Sequence, residues 1–244
     1  FKKDYGYKIG IVVTDYYVHP HWINKEIDHY FIPHESLTEQ VISYGAKKEQ
    51  VYPCGIPIGL ELEAGVDKDA ARKRFGLSKN RISAAVMGSR VFGGEWYEVT
   101  RELVDFDYDL LVLCGENKEV AARISRLEGR SNLKVLGMVE RIHELIGTVD
   151  ILITKAGGIT STEAAQAAPV LLFANSIVGL EDKNEDFFIG HGAALRITKH
   201  DAKQVMTELL ADPAKMTKMR KNLEHIGKKK TATNIARTIL GKKP

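Results

Sequence analysis

The segment from Asp150 to Glu163 has the composition of an anion-binding site. Its sequence, DILITKAGGITSTE, predicts a buried strand that runs through a Gly-Gly turn directly into a helix. Gly157 and Gly158 carry no Cβ, so a ligand can approach the backbone closely, and the first amides of the helix point outward at the positive end of its dipole. In open parallel sheets, ligands bind beyond the carboxyl ends of the strands, where this turn lies. We therefore expect an anion at Gly157 and Gly158.

Glu163 has two interpretations that the spacing leaves open. Thr160 and Glu163 are three residues apart, as in a capping box with Thr as the N-cap, and a capping box needs no ligand. A carboxylate in the first turn of such a helix can instead accept hydrogen bonds from the two hydroxyls of a nucleotide ribose, as acids do in dinucleotide-binding folds.

A second glycine turn, MGSRVFGG at 87–94, follows an earlier predicted strand of the same sheet. Ser89 and Arg90 can hold a phosphate there, although glycines also simply end strands. The turn matches neither G-x-G-x-x-G nor G-x-x-x-x-G-K-[ST], which argues against an NAD enzyme and an ATPase.

Asp15, His19 and His21 follow the first predicted strand, and such groups can take the proton from an attacking hydroxyl. A metal pair at His19 and His21 is a second interpretation, but no further Cys, His or acid at ligand spacing supports it. Structural histidines at a domain edge are a third. The acidic run DFDYD at 105–109 precedes a strand instead of following one, so we expect a solvated turn and no metal site there.

The elements that position these residues follow a strand-helix rhythm from about residue 80. Predicted strands are Ile82–Met87, Tyr108–Cys114, Leu133–Leu136, Asp150–Thr154, Val170–Phe173 and Ala193–Ile197. Predicted helices are Trp96–Val104, Lys118–Leu127, Arg141–Gly147, Ser161–Ala168, Asn184–Gly190 and Asp201–Leu210, followed by two C-terminal helices. Apolar strands without alternation are typical of a parallel sheet that is covered on both faces. The pattern predicts a doubly wound, Rossmann-like α/β domain.

The first 58 residues show a different organisation. We predict strands at Lys8–Thr14 and Tyr30–Ile32, a helix at Glu35–Tyr44 and a linker, CGIPIG, at 54–59. Residues 1–58 are expected to be the closing part of a second α/β domain with its linker, and 59–244 the nucleotide-binding domain. Because the sequence opens FKKD, without Met, we expect a boundary that removed an upstream part.

The composition is that of a globular protein. The 244 residues are 44% hydrophobic and 27% charged, and no run reaches the ~18 apolar residues that span a bilayer. Two cysteines, Cys54 and Cys114, are too few for a disulfide scaffold, which indicates a reducing, cytoplasmic environment.

Positive charge is concentrated in the tail, defined here as residues 215–244. The tail has ten Lys or Arg and one acid, Glu224, a net charge of +9 that leaves −6 on the rest of a chain whose total is +3. A solvated helical face is one interpretation, and attraction to an anionic membrane surface is the other. Nucleic acid is not expected, because few aromatic residues are interspersed among these lysines.

Four segments together resemble one family of enzymes. They are ITKAGGITSTEA at 153–164, GMVERI at 137–142, TDYYVHPHW at 14–22 and GIPI at 55–58. Over about residues 8–240 the chain resembles the bacterial diacylglycerol glucosyltransferases and the plant monogalactosyldiacylglycerol synthases. The resemblance implies the GT-B fold, in which two Rossmann-like domains face each other across a cleft, with the N-terminal domain truncated here.

The resemblance also implies that the C-terminal domain binds a UDP-sugar. By position in the motifs, Glu163 would hold the ribose, Gly157, Gly158 and Thr160 the diphosphate, and Arg141 and Ile142 the uracil, while Gly88 and Ser89 would form a second glycine loop. Asp15, His19 and His21 would face the acceptor.

The segment GLEDKNEDFF at 179–188 matches the family stretch that contacts the donor sugar. Glu181 and Asn184 are retained, whereas Leu180 replaces a Gln, which leaves the identity of the sugar open. The chain is also one residue short between Glu163 and Pro169, so we expect a different turn there.

These observations lead to one expected function and two alternatives. We expect transfer of a hexose from a UDP-sugar to a diacylglycerol-type lipid, without a cofactor, at the inner face of the plasma membrane. A UDP-sugar epimerase of the same fold is the enzymatic alternative. A UDP-binding half that does not transfer sugar by itself is the other.

Overall fold

The computed structural model describes residues 6–88, 94–177, 179 and 181–242, which form two parallel sheets. The first sheet has the order β1 (Gly10–Val12), β2 (His29–Ile32) and β3 (Val51–Pro53). Helix α1 (Thr38–Ser43) and 3-10 turns at Pro20–Trp22, Glu35–Leu37 and Lys48–Gln50 connect these strands. Buried Val13, Val18, Tyr30, Ile32 and Val41 give this sheet its own small core.

The second sheet has six parallel strands, which confirms the Rossmann-like prediction. They are β4 (Ser83–Met87), β5 (Asp109–Leu113), β6 (Asn132–Leu136), β7 (Ile151–Thr154), β8 (Val170–Phe173) and β9 (Ala194–Arg196), in the order β6-β5-β4-β7-β8-β9. The chain winds outward from β4 to β6 and then returns to β7. This reversal is the topological switch point, at which doubly wound sheets bind ligands.

Ten helices accompany this part of the described chain. They are α2 (Leu60–Glu63), α3 (Lys68–Phe75), α4 (Gly94–Leu103), α5 (Lys118–Ile124), α6 (Ile142–Thr148), α7 (Gly158–Ala167), α8 (Asp182–Gly190), α9 (Ala202–Leu210), α10 (Pro213–Ile226) and α11 (Thr231–Ile239). Strand β3 and helices α2 and α3 were not predicted. Helix α3 is short and highly charged, so apolar periodicity does not reveal it, although Asp67 caps it through the Ala70 amide and Gly76 ends it with φ of 63°.

The acidic run before β5 corrects one expectation. Asp105 and Asp107 are exposed, as expected of a solvated turn, but Asp109 is fully buried. Its carboxylate accepts hydrogen bonds of 3.0 Å from Ser78 Oγ and from Asn132 Nδ2. Burial alone would raise the pKa of Asp109, but these bonds and the Ser78 amide lower it. Asp109 is therefore a structural residue that ties β5 to β6.

The tail returns to the first sheet. Helix α10 buries Met216, Met219, Leu223 and Ile226, and α11 contacts the end of β3, where Thr231 Oγ1 donates to the Cys54 carbonyl oxygen at 2.8 Å. Lys228 forms an ion pair with Glu35 at 2.9 Å. Among the described residues, no helix combines the length and the apolar character needed to cross a membrane.

Candidate functional site

A cleft of about 340 Å³ lies at the carboxyl ends of β1 and β7. It is lined by Thr14, Asp15, Lys155, Gly157, Gly158, Ile159, Thr160 and Glu181. Thr14 and Asp15 follow β1 of the first sheet. The next five residues follow β7 beside the topological switch point, and Glu181 immediately precedes α8. The structure thus brings five of the predicted site residues together, namely Asp15, Gly157, Gly158, Thr160 and Glu181.

The first turn of α7 presents free backbone amides to this cleft. The helix begins at Gly158, its N-cap is Gly157, and no side chain caps it. Thr160 is therefore the third helical residue, and the predicted capping box with Thr160 as N-cap is wrong. The first N–H groups of a helix have no partner within it, so those at Gly158 to Thr160 are available to an anion.

Glu163 lies one turn deeper in α7 than expected, as the sixth helical residue. It is half-buried, and burial raises the pKa of its carboxyl group. In the part of the chain that the structure describes, no donor hydrogen-bonds to it. A half-buried carboxylate without a partner is costly to the fold, which is typical of a group that serves a ligand.

Asn184 joins the two sheets at the base of the cleft. Its side chain is fully buried, and its Nδ2 donates to Asp15 Oδ1 and to the Ala156 carbonyl oxygen, both at 2.9 Å. Its Oδ1 accepts from the Tyr16 amide at 2.6 Å. Both amide protons of Asn184 are donated to protein acceptors, so the side chain has no unused donor for a sugar. The contact of Asn184 with a sugar stays a prediction.

Tyr16 strengthens the same junction. Its hydroxyl lies 3.0 Å from Thr162 Oγ1, and its ring packs against Phe187 and Phe188 with centroids 4.6 Å apart in both cases. Burial raises the pKa of Tyr16 to about 12. Tyr16 and Thr162 were not identified in the sequence, because nothing local marks a contact between residues so far apart along the chain.

Lys155 and Glu181 form an ion pair above the glycine turn. Glu181 is 4% exposed, its Oε1 contacts Lys155 Nζ, and its Oε2 accepts from the Ile177 amide at 3.0 Å. Lys155 was not predicted as a site residue, although it lies within the ITKAGG segment that carries the family resemblance. Its basic side chain beside two glycines was the available signal.

His21 lies in the 3-10 turn after β1, and His19 is the N-cap of that turn. Neither residue lines the cleft. His19 Nδ1 accepts the His21 amide at 3.2 Å, and their rings are 4.7 Å apart. His21 is exposed and has Trp22 as its neighbour in the same turn. Within the described ranges, no group of three or more His, Cys, Asp or Glu could hold a metal ion.

The remaining predicted residues lie at other strand ends of the second sheet. Arg141 immediately precedes α6, is half exposed and pairs with Glu144 at 2.5 Å, while Ile142 packs against the core. Gly88 follows β4, and Ser89 lies outside the described residues. None of these is among the residues that line the cleft, so their contacts with a nucleotide stay predictions.

Comparison with solved structures defines the class of fold. The chain matches MurG of Acinetobacter baumannii with a TM-score of 0.72 at 15% identity, covering 98% of this chain and 69% of that one. It matches a putative UDP-N-acetylglucosamine 2-epimerase from Listeria monocytogenes with a TM-score of 0.74 at 17% identity, covering 98% and 68%. The expected GT-B type of fold, with its Rossmann-like domain, is confirmed.

Comparison of sequences then identifies the family. Residues 91–239 match the model of the glycosyltransferase family 28 C-terminal domain, and residues 3–58 match that of monogalactosyldiacylglycerol (MGDG) synthase. The chain therefore belongs to glycosyltransferase family 28, and the match to MGDG synthase confirms the resemblance that the four segments indicated.

Two curated relatives align with most of the chain. A processive diacylglycerol beta-glucosyltransferase of Bacillus pumilus (strain SAFR-032) is 35% identical over 237 residues, and that of Bacillus subtilis (strain 168) is 33% identical over 235. Each alignment covers 94% of this chain. The chain spans 61% of the length of these relatives.

Proposed function

We propose that this chain carries the donor site of a UDP-sugar-dependent hexosyltransferase that glycosylates a diacylglycerol-type lipid. The observation that carries the proposal is the cleft at the switch point, with uncapped helix amides, in a chain 35% identical to a processive diacylglycerol beta-glucosyltransferase. Residues 59–244 would form the donor domain, and residues 1–58 would belong to the acceptor side.

The start of α7 in the cleft, together with the family resemblance, supports the following division of roles. The amides at the start of α7 would hold the diphosphate, and Glu163 would accept hydrogen bonds from the ribose hydroxyls. In the transfer step, the oxygen of a lipid hydroxyl bonds to the anomeric carbon while the bond from that carbon to the diphosphate breaks. Asp15, His19 or His21 would take the hydroxyl proton, and oriented amides would stabilise the charge on the departing UDP.

The tail supports an additional role at an anionic membrane surface, such as the inner face of the plasma membrane. Helix α10 buries its apolar face against the domain, whereas Lys218 and Lys221 are exposed. At the end of α11, Ile239 and Leu240 are 48% and 70% exposed. Exposed apolar groups together with exposed basic groups in one segment are typical of proteins that bind at the headgroup region.

The test is transfer from radiolabelled UDP-glucose or UDP-galactose to diacylglycerol in vesicles. From the protein that contains both the donor and the acceptor sides, we expect labelled glycolipid and a release of UDP that requires the lipid. The variant Glu163→Gln tests the ribose contact and should weaken UDP binding. Its matched control is Glu208→Gln, which removes a negative charge from the exposed face of α9. Release of UDP without lipid would indicate epimerase chemistry. UDP binding without any transfer would support the UDP-sugar site and contradict transfer to the lipid.

A further inference from the structure

We propose that Lys155 is the cation that binds the diphosphate of the nucleotide, and that Glu181 is the positioning residue that holds it over the glycine turn. This inference rests on the proposed function, because it assigns residues to a nucleotide diphosphate in the same cleft. Neither role was predicted from the sequence, which indicated only a contact of Glu181 with the sugar.

Charge in the cleft is the first argument. Of the eight lining residues, Asp15 and Glu181 are acids and Lys155 is the one base. A nucleotide diphosphate would therefore meet two carboxylates at close range. Lys155 balances one of them and supplies the positive charge nearest to the uncapped amides of α7.

Position is the second argument. A Cβ built on Gly157 would lie 3.8 Å from both Lys155 Nζ and Glu181 Oε1, so the ion pair sits directly beside the N-cap of α7. The Lys155 side chain is 29% exposed, whereas that of Glu181 is 5% exposed. The ammonium therefore reaches the open cleft, and the carboxylate holds it from behind.

Unused hydrogen-bonding capacity is the third argument. An ammonium group has three donors, and among the described residues Glu181 is the single acceptor that Lys155 contacts. The two Glu181 oxygens, in contrast, are both engaged, by Lys155 and by the Ile177 amide. The free donors of the pair thus belong to Lys155, and Glu181 acts through it.

Calorimetric titration of the 244-residue chain with UDP and with uridine tests the assignment. Lys155→Met should lower UDP affinity about tenfold or more, the range for a hydrogen bond to a charged group, and leave uridine affinity within about twofold. Lys155→Arg should retain most of the UDP affinity. Lys183→Met, which removes an exposed lysine from neighbouring α8, is the control for overall charge and should bind UDP like the unaltered chain.

A double variant separates binding from stability, because Lys155→Met alone leaves the buried Glu181 carboxylate without its cation. Lys155→Met with Glu181→Gln removes both charges and should fold, while binding UDP no better than Lys155→Met. Glu181→Gln should weaken UDP binding only where Lys155 is present, since Glu181 acts through that residue.

Three results would overturn the inference. The first is a folded Lys155→Met variant, single or double, with unchanged UDP affinity. The second is an equal loss of UDP and uridine affinity, which would make Lys155 a structural residue of the cleft. The third is absence of binding of either ligand by the unaltered chain, which would overturn the donor site itself.

Discussion

Gly157 and Gly158 provide a matched pair of substitutions that tests how the first sheet is joined to the start of α7 at the cleft. A Cβ on Gly158 would overlap the Thr14 carbonyl oxygen and lie 2.9 Å from the Thr14 carbonyl carbon and 3.2 Å from Asp15 Oδ1. Carbon atoms in favourable contact are ~3.5–4.0 Å apart, so the backbone at Thr14 must move. A Cβ on Gly157 meets nothing closer than 3.8 Å.

The size of the effect follows from these contacts. Overpacking costs about 1–3 kcal/mol, and the upper end applies at Gly158 because the obstacle is backbone and cannot rotate away. Alanine also lowers the conformational entropy of the unfolded chain, which stabilises the folded state by about 0.4–1 kcal/mol. Gly158→Ala should therefore lose about 2 kcal/mol of stability, or about 4–8 °C in Tm for a chain of this length. Gly157→Ala, with an ordinary φ of −71°, should stay within about 0.5 kcal/mol of the unaltered chain.

The assay combines thermal unfolding with hydrogen exchange at the Tyr16 amide. This amide donates to Asn184 Oδ1, so displacement of the Thr14 backbone should speed its exchange in Gly158→Ala and leave it unchanged in Gly157→Ala. Equal Tm values for the two variants, with Tyr16 protected in both, would refute the packing of this segment on α7.

Three further predictions concern charge. Because burial raises the pKa of Glu163, its ionised form opposes folding above the ordinary carboxyl range. Glu163→Gln should therefore raise Tm at pH 7, and this gain should disappear toward about pH 4. The same variant should still weaken UDP binding by about 1.5–3 kcal/mol in calorimetry. Burial lowers the pKa of His34, as do His191 and Lys228, against the opposing effect of Glu35. The folded protein should therefore lose stability as the pH drops below about 6.5. Over this pH range Tm should fall less in His34→Phe than in the unaltered chain, and equal slopes of Tm against pH would contradict the assignment. Sedimentation with vesicles should rise with anionic lipid and collapse as salt shortens the Debye length from ~10 Å at 0.1 M to ~3 Å at 1 M, whereas equal binding to neutral vesicles would reject a role of the basic tail.

The local sequence pattern was sufficient to predict the strands of the second sheet, but not all of the elements around it. Strands such as Ile151–Thr154 are buried on both faces, and their unbroken apolar runs announce this in the sequence. Strand β3 has three residues and ends in Pro53, so it carries no comparable run. The start of α7 was misplaced because Thr160 and Glu163 match a capping box by type and spacing, and spacing alone cannot show that the helix begins at Gly158 instead.

The same distinction holds for the site. The place of Gly157 and Gly158 in the cleft was predictable, because a Gly-Gly pair between a buried strand and a helix marks a turn at the carboxyl edge of the sheet. The partners of Asp15 and Glu181 could not be predicted. Asn184 contacts Asp15, and Lys155 contacts Glu181, from other elements of the fold. A hydrogen bond between residues 169 positions apart leaves no periodic or spacing signal in the sequence.

The junction between the first sheet and the end of the chain also sets an order for folding. Tyr16 reaches its partner Asn184 across 168 positions, and Cys54 reaches Thr231 across 177. Contacts of such separation form slowly, because closing a long loop costs entropy before the contacts compensate for it. During synthesis the segments around Tyr16 and Cys54 leave the ribosome long before Asn184 and Thr231, so they acquire these partners only after 168 and 177 further positions of the chain have been made. Until then the Tyr16 ring lacks the Phe187 and Phe188 rings that bury it, so the nascent chain exposes apolar surface at the residues that later border the cleft.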